Sequence, residues 1–413
     1  MVRCFASDGG GDAFFICLYN FWEKRQREYP RLADLFSFIY SIALFSMKII
    51  KIILYIILGL AVFITLFINL NPHFGANPSY FQKKLYSTFP NYVNGEFKNY
   101  EPTKLFTEEM DMGNFFKDHP DLIPSKDITP NNLDLDFFKS NEDENIKLSW
   151  LGHSAFMINV SGIIIMLDPM LGQHAAPLPM PSLKRYSKEI AFEIDDIDTI
   201  DVVVYSHDHY DHLDYPTIKK IKNKVGLFIV PHGLGNHLRN WGVPKKSIVE
   251  LNWEESKYVD QVEFVCLPAR HFSGRGPLNR NSTLWASWAI KSEKGKIYFS
   301  GDSGYGKHLK KIGDEHGPFN VTLIDCGQYN KAWKYSHMFP DQSIDASIDL
   351  RGEYLIPIHW GAFTLSTHAW TEPPEEVFKL APLRGQKIIL PEIGQVITLG
   401  KPVYGNQKWW NNF

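Results

Sequence analysis

The stretch "SHDHYDHLD", residues 206–214, follows directly on the apolar run "DVVVY". Six of its nine side chains bind metal or carry protons: His207, Asp208, His209, Asp211, His212 and Asp214. The whole chain holds only 15 histidines in 413 residues. The cluster begins where a strand-like run stops, so its side chains emerge at a sheet edge, where loops build sites. His207 and His209, two apart on extended chain, converge on one ion. Asp211 and His212 come after the bend at Tyr210 and face a second. Imidazole nitrogen and carboxylate oxygen are zinc ligands, and a catalytic zinc site keeps one position open for water. Four ligands are too few for two ions, and other strand ends supply more. His271 stands in "CLPARHFSGRG", Asp302 in "IYFSGDSGYG" and His359 in "LIPIHWGAF". A lone histidine at a strand end is ordinarily a hydrogen-bonded structural residue. Seven such residues in one kind of location read as a metal site.

Composition sets the frame around this loop. With 44% hydrophobic and 22% charged residues the chain can build a substantial core. A net charge of −3 gives no electrostatic basis for a nucleic-acid partner. The four cysteines, Cys4, Cys17, Cys266 and Cys326, form no CxxC pair, so sulfur is not the metal ligand. Cys266 and Cys326 lie in strand-like runs and read as small buried hydrophobes rather than a disulfide.

Residues 52–70, "IILYIILGLAVFITLFINL", carry no charge. At about 1.5 Å per residue they cover roughly 28 Å, close to the hydrocarbon thickness of a bilayer. They read as a single-pass transmembrane signal anchor; "INLNPHFG" offers no small-x-small cleavage site. Lys24, Arg25, Arg27, Arg31, Lys48 and Lys51 precede the span, against Lys83 and Lys84 in the first twenty residues after it. That asymmetry keeps the N-terminus cytosolic and places the catalytic domain on the non-cytoplasmic side. Residues 1–51 form an N-terminal segment. Within it "LFSFIYSIALFSM" is too short to span alone, and Met47 opens a complete signal-anchor pattern, making it an alternative start.

Residues 71–145 are Pro-rich and weakly periodic, a linker or arm packing on the domain. From residue 146 the pattern changes to short β-branched runs separated by Gly and Ser turns, then to alternating strands and helices as far as residue 400. Two strand-rich halves with helices outside predict a four-layered αββα sandwich in the α/β class. Residues 401–413 are left as a C-terminal tail.

The HxHxDH signature with the later His, Asp and His resembles the metallo-β-lactamase fold superfamily of binuclear metallohydrolases. Within it, "WLGHSAFMINVSGIIIMLDPM", "YFSGDSGYG" and "IPIHWGAF" are similar to the N-acyl-phosphatidylethanolamine phospholipase D branch. The resemblance spans roughly residues 90–400. It implies two Zn2+ ions, other divalent metals being alternatives. His207, His209 and His271 would hold one and Asp211, His212 and His359 the other, with Asp302 bridging both beside a metal-bound hydroxide. The hydroxide would attack phosphorus without any Ser or Cys nucleophile. A phospholipid or other phosphodiester substrate is thereby implied, with the membrane reached through residues 52–70. The ligand set activates water without selecting substrate, so a lactonase, an esterase or a cyclic phosphodiesterase on a soluble substrate is the alternative. A tethered scaffold with a structural metal is a third reading, opposed by the intact ligand set.

Other residues divide between two readings. Asp168 in "MLDPM" orients the histidine loop or caps a turn; Asp208 and Asp214 pose the same choice, Asp214 leaning towards the loop. His337 in "WKYSHMFP" resembles a family position near the substrate path. Arg275 meets a substrate phosphate or carboxylate, or else a surface carboxylate. His153 reads as structural, and Trp285, Trp288, Trp360 and Trp370 as core.

Overall fold

The computed structural model describes residues 23–24, 30–107, 121–140, 145–401 and 407–413. The chain divides into two compact units, Met1–Leu70 and Asn71–Phe413. The first contains helix α1 (Pro30–Leu70), 41 residues long. The helix passes Lys48 and Lys51 without a break, so the apolar stretch before them is continuous with the expected span. Its segment Ser37–Leu70 is long and apolar enough to cross a membrane. At about 1.5 Å per residue those 34 residues exceed one hydrocarbon thickness. The expectations for residues 1–22 and 25–29 lie outside the described residues.

The second unit carries a short helix (Tyr80–Tyr86), a hairpin, β1 (Tyr92–Val93) and β2 (Glu96–Phe97), and a second short helix (Leu135–Lys139) ahead of two seven-stranded sheets. The first comprises β3 (Lys147–Trp150), β4 (Phe156–Val160), β5 (Ile163–Leu167), β6 (Ile200–Val204), β7 (Val225–Pro231), β8 (Ile248–Leu251) and β16 (Val396–Thr398), in the order β16-β3-β4-β5-β6-β7-β8. The second comprises β9 (Ser256–Val259), β10 (Val262–Leu267), β11 (Ser287–Ser292), β12 (Gly295–Phe299), β13 (Phe319–Asp325), β14 (Gly352–Ile358) and β15 (Lys387–Ile388), in the order β15-β14-β13-β12-β11-β10-β9.

The period-2 alternation of a strand explains the layering. Val202 and Val204 of β6, with Phe264 and Cys266 of β10, enter the core between the sheets. Their neighbours Val203 and Tyr205, and Val265 and Leu267, face the two outer cores. Helices α2 (Tyr215–Ile221) and α3 (Gly235–Asn240) contribute to one outer core, and α4 (Lys307–His316), α5 (Pro340–Asp349) and α6 (Glu372–Leu380) to the other. Strands covered on both faces become continuously apolar, as "IIIML" and the "VVV" of β6 are. The αββα sandwich is the expected architecture, and Trp285, Trp288, Trp360 and Trp370 are buried as expected.

Strand direction then positions the loops. β5, β6 and β7 are mutually parallel, as are β12, β13 and β14. β10 shares the direction of β12 because both are antiparallel to β11, and β3 shares that of β5 through β4. The segments after β3, β5, β6, β10, β12 and β14 carry His153, Asp168, the histidine loop, His271, Asp302 and His359. Carboxyl ends of parallel strands are where α/β folds build sites.

Two segments outside the sheets reach into the cores. The arm does not merely lie on the domain: Tyr86, Tyr92, Phe97 and Ile128 belong to the inter-sheet core, and Leu133 and Phe138 to an outer one. Nor is the C-terminus a loose tail, since Trp409 and Trp410 are buried and Trp409 stacks on Trp360 at 5.6 Å. Aromatic side chains this large bury enough area to anchor a Pro-rich, weakly periodic segment in the core through short helices and one short hairpin. Phe97→Ala is expected to cost about 3–5 kcal/mol in denaturant unfolding. An arm resting on the surface would lose no more than about 0.5 kcal/mol.

Candidate metal centre

The histidine loop is held at both ends. Asp168, at the end of β5, accepts from the Ser206 backbone N–H at 2.7 Å. Leu213 N–H bonds back to His209 O at 2.9 Å, and the Asp214 carboxylate then caps α2 through Thr217 N–H. Gly301, immediately before Asp302, lies at φ +54°, and a Cβ there would stand 2.4 Å from Ser206 Cβ. Only glycine allows the β12 loop to approach the histidine loop so closely.

The seven sequence-derived residues come together in two overlapping groups. In the first, His209 Nδ1 lies 2.8 Å from His207 Nε2 and 3.2 Å from His271 Nε2. Asp302 Oδ2 stands 3.6 Å from His207 Nε2 and 3.7 Å from His271 Nε2. In the second, Asp302 Oδ1 stands 3.1 Å from both His212 Nε2 and His359 Nδ1. Asp211 Oδ2 lies 3.4 Å from His212 Nε2 and 3.9 Å from His359 Nε2. The two oxygens of Asp302 thus face different pairs of imidazoles. A tetrahedral zinc with bonds of about 2.0–2.1 Å to nitrogen separates its ligands by about 3.3–3.4 Å, in the middle of these distances.

Tautomers strengthen the fit. His271 Nδ1 meets the Ser336 carbonyl at 3.0 Å, which only accepts, so its Nε2 carries a lone pair. Ser206 Oγ donates to Asp168, leaving it to accept from His207 Nδ1 at 2.9 Å, and His207 Nε2 is likewise bare. His212 Nδ1 donates to Asp168 Oδ2 at 2.7 Å. This carboxylate–histidine arrangement turns His212 Nε2 inward as a ligand. His212 Nε2 and Asp302 Oδ1 are buried with no hydrogen-bond partner. Converging lone pairs and an unpaired carboxylate oxygen repel one another unless a cation lies among them. The donor set fits divalent metal.

Burial shapes the electrostatics. It drives the imidazoles of His207, His271 and His359 well below the usual histidine range, and neighbouring imidazoles add to the effect. Burial also brings His209 down to about 4. It raises the Asp302 carboxyl to about 7, against the pull of His212. Burial opposes charge on His212 too, yet Asp302 and Asp211 lift that imidazole well above its ordinary value. Both shifts favour the protonated forms of His212 and Asp302 wherever no cation lies beside them.

The lower-ranked residues separate. Asp168 touches the loop and His212. Asp208 accepts from Gly274 N–H at 2.7 Å and Thr283 Oγ1 at 2.9 Å, outside the ligand groups. Asp214 reaches none of the ligands and serves as a helix cap. The Arg275 guanidinium is buried and donates to the carbonyls of His73, Asp208 and Leu213. His337 stacks on His359 at 5.0 Å and lines a pocket of ≈ 320 Å³ over the centre.

Two participants were missed. His153, read as structural, places Nε2 2.8 Å from Asp211 Oδ2 and its ring 4.2 Å from that of His359. Asp325 accepts from His337 Nδ1 at 2.9 Å. Its position at the end of an apolar strand, in "TLIDCG", was the available signal; Cys326 beside it is a buried free thiol.

Comparison with known proteins places this geometry. A family model described as "Beta-lactamase superfamily domain" matches residues 164–360. An uncharacterized protein of Mycobacterium tuberculosis is 38% identical over 336 residues, 78% of this chain and 87% of that one. N-acyl-phosphatidylethanolamine-hydrolyzing phospholipase D 1 of Caenorhabditis elegans is 33% identical over 261 residues, 60% of this chain and 72% of that one. A "possible metal-dependent hydrolase" of Veillonella parvula shares the fold, with a TM-score of 0.50 at 14% identity, over 62% of this chain and all of that one.

Two outcomes follow from the shifted ligands and from Asp168. Ligands must be deprotonated to bind a divalent cation, and His212 and Asp302 are both shifted towards their protonated forms. Zinc affinity, measured by competition with a chelator, should therefore rise by about tenfold per pH unit through neutral pH, with proton release seen as buffer-dependent binding heat. Asp168→Asn keeps the side-chain shape but loses the carboxylate behind His212. It is expected to weaken zinc binding by about 10–100-fold.

Proposed function

The chain belongs to the metallo-β-lactamase fold superfamily, in the branch that includes the nematode N-acyl-phosphatidylethanolamine-hydrolyzing phospholipase D, and on that premise we propose that it is a binuclear zinc phosphodiesterase acting on phospholipids. That it is a metal-dependent hydrolase follows from the family. The observation carrying the finer reading is the pair of imidazole groups facing opposite oxygens of Asp302. His207, His209 and His271 would hold one ion, and Asp211, His212 and His359 the other. When bound, such ions lower the pKa of water towards neutrality and neutralise charge developing on phosphoryl oxygens.

The protein's own groups do the rest. Asp325 accepts from His337 Nδ1, which fixes that tautomer and presents Nε2 near Asp302 and His359. There His337 is positioned to hold or deliver a proton for the departing alcohol oxygen. Leu105, Phe106, Phe272, Trp333 and Leu365 line the pocket and give it apolar walls suited to acyl chains. Phe106, half exposed at the rim, continues that character outward. We further infer that residues 52–70 tether the enzyme to a membrane, with the catalytic domain on the non-cytoplasmic side.

Purified full-length protein in mixed micelles should release phosphatidic acid from N-acyl-phosphatidylethanolamine. Asp302→Ala and His209→Ala should lower that rate by about 10²–10³-fold or more. Release of an acid from lactones or soluble phosphodiesters, with none from phospholipid, would remove the lipid assignment and leave the hydrolase. Undiminished turnover in both variants would remove the mechanism.

A further inference from the structure

The six residues that follow the apolar helix, 71–76, are built into the wall of the histidine loop. Pro72 O accepts from Trp241 Nε1 at 2.7 Å, and His73 O from Arg275 Nε at 2.8 Å. Arg275 passes the connection on. Its Nη1 donates to Asp208 O at 2.6 Å and to Leu213 O at 2.7 Å, carbonyls that bracket most of the loop. Its guanidinium also lies 4.1 Å over the ring of Tyr210, and Phe74 meets that ring edge-on at 6.4 Å. Tyr210 stands between His209 and Asp211.

A second connection runs through His237. Ala76 N–H donates to its Nδ1 at 3.0 Å, which leaves the ring proton on Nε2, directed at Asp208 Oδ2 at 3.3 Å. Asp208 is the residue between His207 and His209. Gly75 makes the fit possible: at φ +69°, a Cβ there would fall 2.0 Å from His237 Nδ1. His237 and Arg275 are almost completely buried, at 1% and 2% exposure, so removing either end of a bond strands a polar group away from water.

We propose that residues 71–76 are a positioning element of the metal centre, holding His237 and Arg275 against the loop so that His207, His209, Asp211 and His212 are presented as a preformed ligand set. The proposal rests on the metal-binding reading of those residues, and it is independent of the lipid substrate. Its consequence is specific. Metal affinity depends on the polypeptide that leaves the apolar helix, although none of those six residues offers a ligand to either group.

The test uses full-length protein in detergent, stripped of metal and titrated with zinc against a competing chelator, with the unfolding temperature of each metal-free form recorded alongside. Gly75→Ala and His237→Ala are expected to weaken zinc binding by about 10–100-fold. His237→Gln, which retains one acceptor and one donor, should recover part of the loss. Val377→Ala, on the buried face of α6 in the outer core of the second sheet, should lower the unfolding temperature while leaving zinc affinity unchanged. Wild-type affinity in both Gly75→Ala and His237→Ala would overturn the proposal even if their unfolding temperatures fall. Should Gly75→Ala fail to fold, Trp241→Phe, which removes the indole N–H facing Pro72 while keeping an aromatic ring, takes its place with the same expectation. Failure of wild-type protein to take up zinc would instead sink the metal-centre reading, and this proposal with it.

Discussion

The arrangement around Asp302 is an electrostatic problem that the protein alone does not solve. A carboxylate, buried to 2% exposure, faces imidazole nitrogens on both oxygens, and the tautomers of His207 and His271 turn lone pairs towards it. Burying such groups without a counter-charge costs far more than a typical domain has in reserve. Without a counter-charge, burial favours the protonated form of the Asp302 carboxyl. A divalent cation among these groups would remove the conflict, and the donor set fits one.

The sandwich exists, in effect, to hold that conflict in place. Two sheets closing on one apolar core fix the directions of their strands, and the loops after six of them arrive at one edge. Each loop needs only one or a few polar residues because the strands behind it are rigid and dry. The arm and the C-terminal tryptophans extend this support. Trp409 packs on Trp360, next in sequence to His359, so packing far from the chemistry bears on a ligand.

Around the ligands lies a layer of residues that bind nothing themselves. Asp168 holds both Ser206 and His212, and Asp208 is gripped from the β10 loop and from His237. Arg275 is the clearest case: a buried cation whose charge is spent on backbone carbonyls, tying the segment after the apolar helix to the histidine loop. Such a centre gains its precision from hydrogen bonds to the backbone between ligands as much as from the ligands themselves.

By itself the sequence determined the fold class, the histidine loop and the later His271, Asp302 and His359. These follow from local chemistry, namely residue type at the end of an apolar run, which survives whatever the rest of the chain does. It could not decide what a polar side chain meets when its partner is distant. His153 contacts Asp211 across 58 positions, and Arg275 contacts His73 across 202. Asp214 and Arg275 both sit in loops that carry ligands, yet one caps a helix and the other binds carbonyls. Only the packed structure assigns such groups, because a hydrogen bond depends on geometry to within a few tenths of an ångström and residue type specifies only that some bond must be made.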